Sequence, residues 1–256
     1  MIHQAWALIV AESIKFWRET RRYLFDLFWG NVSLFLIFLA MFFGLKSFGG
    51  PHMSMDSLDA MIVGYITWLI AFGGFQTLGW FVGEENQRGT LEQLYLSPLG
   101  IEWSLLLRTA LNFSLTFFLD IFILFLTMLV TNRWLPLNIP TIFLLLLTSV
   151  PGMWGLGLAF SSLMILYKKI SSLFMVVTFT FVFLISLPAW PFTWYSLLPF
   201  SACAASLQAL VRRGESFPWW WYLFLSGLSA AYLILGIVVF RIASRAAKRR
   251  NLLGQY

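Results

Sequence analysis

Charge is what this chain has least of. Only 11% of its 256 residues are Asp, Glu, Lys or Arg, where a soluble domain carries about 25%. So few charges leave little mass for a water-exposed domain. Cysteine is nearly missing too, and the single Cys203 excludes an intrachain disulfide and a cysteine-based metal cluster. No Gly-Lys pair occurs anywhere. A P-loop needs that pair followed by Ser or Thr to cradle phosphates, so this chain has no nucleotide site of that kind and no room for an ATPase domain. The N-terminal stretch lacks an early basic region and a small-residue cleavage site, which argues against a signal peptide.

What the chain has in abundance is apolar length. Hydrophobic residues make up 60% of it, and several runs approach the roughly 20 residues that cross a bilayer core about 30 Å thick. Six spans can be drawn, over 26–46, 58–82, 103–131, 141–166, 171–188 and 219–241. They are apolar on all sides rather than alternating, so helices, which satisfy their own backbone in lipid, are expected and a β-barrel is not. With the N-terminus inside, thirteen Lys and Arg residues, Lys15, Arg88, Arg108, Lys168, Lys169 and Lys248 to Arg250 among them, fall on the cytoplasmic side. Lys46, Arg133, Arg212 and Arg213 fall outside. That asymmetry is the positive-inside pattern and places both termini in the cytoplasm. The net charge of +6 then reports topology and lipid headgroups, not nucleic acid.

Before the first span, Glu12, Lys15, Glu19 and Arg22 share one helical face while Ile2, Trp6, Ile9 and Trp17 lie mostly on another. This pattern predicts an amphipathic helix in the cytoplasmic interface, residues 1–24, against the plainer alternative of a cytoplasmic extension of the first span. Trp80, Trp103, Trp134, Trp190, Trp194 and Trp219 to Trp221 fall near span ends, as an aromatic belt at both interfaces would have them; stacking on a sugar is the competing use of so many tryptophans.

The most informative segment lies between the second and third spans, residues 84–98. Its register begins Glu84-Glu85 and continues Arg88-Gly89-Thr90-Leu91-Glu92-Gln93-Leu94-Tyr95-Leu96-Ser97-Pro98. Thr90 and Gln93 are spaced for a capping box. Glu92 suits the first turn of a helix, and Leu91, Leu94 and Tyr95 share a face. Gly89 supplies backbone freedom before the cap, and Pro98 prevents simple continuation. The expected object is a polar hinge from Gly83 followed by a short capped helix with an apolar edge, which suits either docking of a soluble partner or an ordinary solvated turn between two spans.

Those residues resemble the signature after the second span of ABC-2-type transporter permeases. The resemblance extends over the whole chain, residues 1–256, as a single transmembrane domain. It implies an all-α membrane protein: an interfacial helix, six transmembrane helices, a cytoplasmic coupling helix between spans 2 and 3, and a re-entrant outer segment between spans 5 and 6. That outer segment is residues 189–217, following Leu187-Pro188 and containing Trp190-Pro191, Leu198-Pro199-Phe200 and Arg212. The resemblance further implies that Glu84, Glu85, Arg88, Gly89, Thr90, Leu91, Glu92, Gln93 and Leu94 couple to a separate ABC ATPase, expected in two copies. ATP and magnesium would be bound there, with no cofactor and no metal on this chain. A second permease chain, identical or a paralogue, would complete the pathway. Export and a prokaryotic inner (plasma) membrane are implied the same way.

Within the membrane, Asp120 sits near the middle of span 3, with Thr116 one turn and Asn112 two turns earlier. A carboxylate at that depth is costly, so it faces protein or a water-filled cavity. With Gln76 of span 2, these residues line a transport path or a dimer interface, or else they hold neighbouring helices together. Gly79 and Gly83 allow close helix approach. Pro151 with Gly152, Gly155 and Gly157 suits either a bending helix or a static bundle. The apolar, aromatic-rich spans suggest a hydrophobic or amphipathic cargo such as a lipid, drug, antibiotic or lipid-linked glycan. Two other classes compete. An intramembrane enzyme needs a dyad or metal set, and His3 and His52 fall on opposite sides. An ion-coupled secondary transporter or channel often carries internal repeats, and none is evident between residues 1–128 and 129–256.

Overall fold

A computed structural model describes residues 2–48, 55–87, 89, 100–167 and 171–249. Among them are eight α-helices and no strand: α1 (Ile2–Arg22), α2 (Leu24–Phe48), α3 (Met55–Gln87), α4 (Ile101–Thr131), α5 (Ile139–Leu166), α6 (Ser171–Ser186), α7 (Ser201–Arg213) and α8 (Trp219–Arg249). Five of these, α2, α3, α4, α5 and α8, are long and apolar enough to cross a membrane. The chain is thus a multi-pass helical membrane protein. The run expected over 171–188 is helical over the described residues Ser171–Ser186 and is not among these five.

Local chemistry sets the boundaries. α4 ends where Asn132 turns left-handed (φ 54°) and its N–H reaches back to the Leu129 and Met128 carbonyls, a side chain and conformation suited to a helix stop. α5 begins where the Asn138 side chain accepts the Thr141 N–H at 3.3 Å, with Pro140 in the first turn, the usual pairing of cap and N-terminal proline. Hydroxyls inside the spans bond to their own helix. Thr67 donates to the Val63 carbonyl at 2.7 Å, Thr77 to Gly73 at 2.6 Å and Thr109 to Leu105 at 2.7 Å. Each polar side chain is thereby satisfied without leaving an apolar segment.

α3 is the central element and touches α2, α4, α5, α6 and α7. Its side-chain pairings fix directions. Glu85 meets Arg108 and Thr77 meets Asn112, so α4 runs antiparallel to it. Phe75 packs on both Phe174 and Phe181 while Gly79 lies under Phe174, so α6 is antiparallel as well. Gly74 faces Met153 and Gly83 faces Met164, which makes α5 parallel. α5 and α8 form the most extensive contact in the bundle. They also run parallel, with Gly152 against Ser229, Gly155 against the Tyr232–Leu233 backbone and Gly236 against the Gly155 carbonyl. The Ser229 hydroxyl donates to the Ser149 carbonyl at 2.9 Å, two residues before Pro151. Here the glycines allow backbones to touch.

The buried core runs from Phe38 and Phe42 of α2 through Phe75 to Leu145, Leu146 and Met153 of α5 and Trp221 of α8. A second cluster, Leu78, Val82, Leu105, Leu158 and Phe240 among its members, fills the end of the bundle near α1. Trp6, Trp17, Trp80, Trp103, Trp134, Trp194, Trp219 and Trp220 are exposed, as belt residues are. Trp221 departs from that expectation: it is fully buried and its indole N–H donates to Ser206 Oγ at 2.8 Å. Trp190 is half-buried and donates to Glu215 Oε2 at 2.6 Å. Both tryptophans hold the segment 189–217 in place. That segment contains a 3-10 turn (Trp194–Leu197) and α7, which is too short to cross a bilayer and packs back on α3, α5 and α6.

Candidate functional site

Four charged side chains, Lys15 and Glu19 of α1 and Glu84 and Glu85 of α3, converge at the α1 end of the bundle around a fifth, Arg108 of α4. It lies two turns into α4 and is only 3% exposed. Its guanidinium donates through Nη1 to Glu85 Oε1 at 2.8 Å and through Nη2 to Glu19. Glu84 Oε2 stands 3.9 Å from the same Nη2, and the Phe81 ring lies 4.2 Å below Cζ, within cation–π range. Glu85 is 2% exposed and also accepts from Lys15 Nζ at 2.6 Å. Beside this hub, Ser104 donates to the buried Glu12. Two cations thus face three carboxylates where α1, the last turn of α3 and the start of α4 meet. Arg241 of α8 joins the same end by donating from Nε to Glu102 Oε1 at 3.1 Å.

The helical repeat explains the convergence. Glu12, Lys15 and Glu19 recur at i, i+3 and i+7 and so share a face. Phe81 and Glu85 are one turn apart on α3. The polar face of α1 therefore turns toward the protein, while Trp6, Ile9, Val10, Ile14 and Trp17 point away from it. An amphipathic helix of residues 1–24 was expected with its apolar face toward lipid. The residues do form a helix, Ile2–Arg22, with that apolar face exposed, and its charged face is clamped to α3 and α4. The polar hinge expected from Gly83 is different. Gly83 to Gln87 continue α3 as helix, so Glu84 and Glu85 are rigid extensions of a span. Arg88, Thr90, Leu91, Glu92, Gln93 and Leu94, and with them the expected coupling helix, lie outside the described residues. Gly89 is in a turn with φ 68°.

The intramembrane candidates divide between two interfaces. Asn112 Nδ2 donates to Thr77 Oγ1 at 3.3 Å, between α4 and α3. Thr116 bonds its own helix at the Asn112 carbonyl, 3.1 Å away. Asp120 is buried and in electrostatic range of the Tyr65 phenol on α3, whose hydroxyl has no hydrogen-bond partner among the described residues. Gln76 faces the other way and accepts from Thr178 Oγ1 of α6 at 3.1 Å. Asn112, Thr116 and Asp120 are brought together against α3, and Gln76 is not among them. Among the described residues no group of three or more His, Cys, Asp or Glu side chains could hold a metal ion.

At the opposite end of α3, α2, α3, α6 and α7 enclose a groove of about 830 Å³. None of the four intramembrane candidates lines it, whereas Tyr65, Trp68, Gln208, Arg212 and Arg213 do. Sequence reasoning missed both the hub and this groove. The hub had one legible cue: Arg108 falls inside the span drawn over 103–131, and a charge there needs a partner. Comparison with known proteins finds no matching family model, no matching curated protein and no matching solved structure.

Proposed function

We propose that the chain is the permease subunit of an ATP-binding-cassette exporter of the ABC-2 type. Two such chains form the pathway, and a separate ATPase hydrolyses ATP. Both termini and the segment 84–98 face the cytoplasm of a prokaryotic inner membrane. The cargo is hydrophobic or amphipathic. Supporting the reading is the residue pattern from Glu84 to Pro98, and the observation that carries it is the hub at that segment's root. Glu84 and Glu85 tie the start of the segment to Arg108, close to where the chain re-enters α4, and through Glu19 and Lys15 to α1. A push on a helix over Thr90 to Leu96 therefore reaches a stiff junction of α1, α3 and α4, and the motion passes into the spans instead of dissipating in a loose loop.

The test is affinity purification of the chain from native membranes. The wild-type chain is expected to bring a stoichiometric ATPase, and Leu91→Glu with Leu94→Glu to lose it while inserting normally. Unchanged co-purification after both substitutions removes the docking claim. A chain recovered alone and transporting in liposomes without ATP would instead be an ion-coupled secondary transporter or channel, a reading that Asp120, buried at mid-span, would then serve.

A further inference from the structure

The groove at the α7 end has an apolar body and a cationic mouth. Its volume, about 830 Å³, falls within the ~300–1,000 Å³ of ligand sites. Trp68 of α3 is part of its lining, and Ile37 and Met41 of α2 face Phe179 and Val182 of α6 across it. Those last four side chains line the groove and yet are 60%, 55%, 58% and 52% exposed. The groove is therefore open sideways between α2 and α6, toward the hydrocarbon, and a chain can enter it without crossing a polar layer.

α7 closes the mouth. Gln208 Nε2 donates to the Ala60 carbonyl at 3.4 Å, which fixes α7 over the first turns of α3. Gly214, left-handed at φ 65°, ends the helix just after Arg212 and Arg213. Two carboxylates among the described side chains at this end already have basic partners. Glu215 is shared between the Trp190 indole at 2.6 Å and Arg213 at 3.3 Å, and Asp59 is matched to Arg133 at 3.7 Å. Among the described residues no carboxylate lies within ion-pair distance of Arg212. Complementing a helix C-terminus accounts for a basic residue in the last turn. It does not account for two guanidinium groups at the rim of an apolar slot.

We propose that this groove binds an anionic membrane lipid, its acyl chain between α2 and α6 and its phosphate at Arg212 and Arg213. Guanidinium forks match phosphate oxygens, and the apolar walls match the chain. A second copy of this protein is the weaker occupant: it brings apolar surface, but Asp59 and Glu215 at this end are already engaged. The inference needs only helices in a bilayer and no ATPase, so it stands or falls separately from the permease reading.

The experiment places the purified full-length chain in phosphatidylcholine nanodiscs. These are doped with phosphatidylglycerol or phosphatidylcholine carrying a diazirine in the acyl chain, and adducts are mapped after irradiation. The phosphatidylglycerol probe is expected to label Met41, Trp68 and Phe179 about tenfold more than the phosphatidylcholine probe, the ratio equivalent to one good charge-assisted contact. Arg212→Gln with Arg213→Gln, both on exposed side chains, is expected to bring that ratio close to unity. Equal labelling by the two probes in the wild-type chain overturns the proposal, as do adducts confined to other faces or a ratio unchanged in the double variant. Interchain disulfides through Met41→Cys in place of lipid adducts would assign the groove to a second copy and overturn it too.

Discussion

Arg108 is a cation withdrawn from water and matched by carboxylates on two other helices. A buried pair of this kind contributes little net stability, because desolvation offsets the attraction, but breaking it strands a charge. Arg108→Ala is expected to cost about 3–5 kcal/mol, read as a lower melting temperature in detergent. Combining Arg108→Met with Glu85→Gln should recover most of that loss, and a double variant as unstable as the single one would show that the hub is not an ion-pair unit. Cys203 is the second informative residue. It is fully buried, its Sγ donates to the Leu145 carbonyl at 3.6 Å, and burial pushes its thiol up to about 12. Only the thiolate is the nucleophile, so maleimide at pH 8 should leave the folded chain unlabelled and react after denaturation. Because the folded value is raised, the thiol's contribution to stability is intact below the ordinary value of 9.0 and declines as pH rises toward 12. Little of this was legible. Residues 15, 85 and 108 are far apart in the chain, and one-dimensional patterns show charges without their partners.

Among the elements, the seam between α5 and α8 is the firmest joint. A Cβ at Gly236 would overlap the Gly155 carbonyl. Gly236→Ala is therefore expected to destabilise by about 1–3 kcal/mol. Gly227→Ala on the same helix, with nothing within 4 Å, should be neutral or stabilising by up to about 1 kcal/mol, since alanine is the better helix former. Equal thermal shifts for the two would refute the close-packed seam. The reading of Pro151 and its neighbouring glycines left bending and static packing open, and the contacts with Ser229, Tyr232 and Gly236 favour packing. Helix limits were the most legible feature. The apolar run over 103–131 predicts α4, which spans Ile101–Thr131, because apolar length is a one-dimensional property. The exceptions are informative. α8 was drawn to 241 and runs on to Arg249, since a helix can leave the apolar layer without unwinding. The run Trp219 to Trp221 reads as belt, yet successive residues turn by about 100°, and Trp221 is buried while Trp219 and Trp220 are exposed.

The whole molecule has two ends with different chemistry, separated by about 37 Å along α3 from Ala60 to Glu85. One end gathers α1, the root of the 84–98 segment and the tail of α8 through ion pairs. The other carries α7 and the arginine-rimmed groove. That α1 and α8 share an end agrees with the charge asymmetry of the sequence, whereas the depth of the groove depends on how far α2 stands from α6, which no local pattern encodes. Under the permease reading, Glu19→Gln should leave ATPase co-purification unchanged and lower transport several-fold, because it loosens α1 from the junction without touching the docking helix. Equal transport in vesicles would restrict α1 to anchoring.

The hub also orders events during synthesis. Lys15 and Glu19 are made early, but Arg108 leaves the ribosome only after two long apolar helices have been delivered to the membrane. Until then α1 can rest on the bilayer by its tryptophan face alone, with its acidic residues in water. Its docking therefore waits until α3 and α4 stand side by side, because only together do they present Glu85 and Arg108.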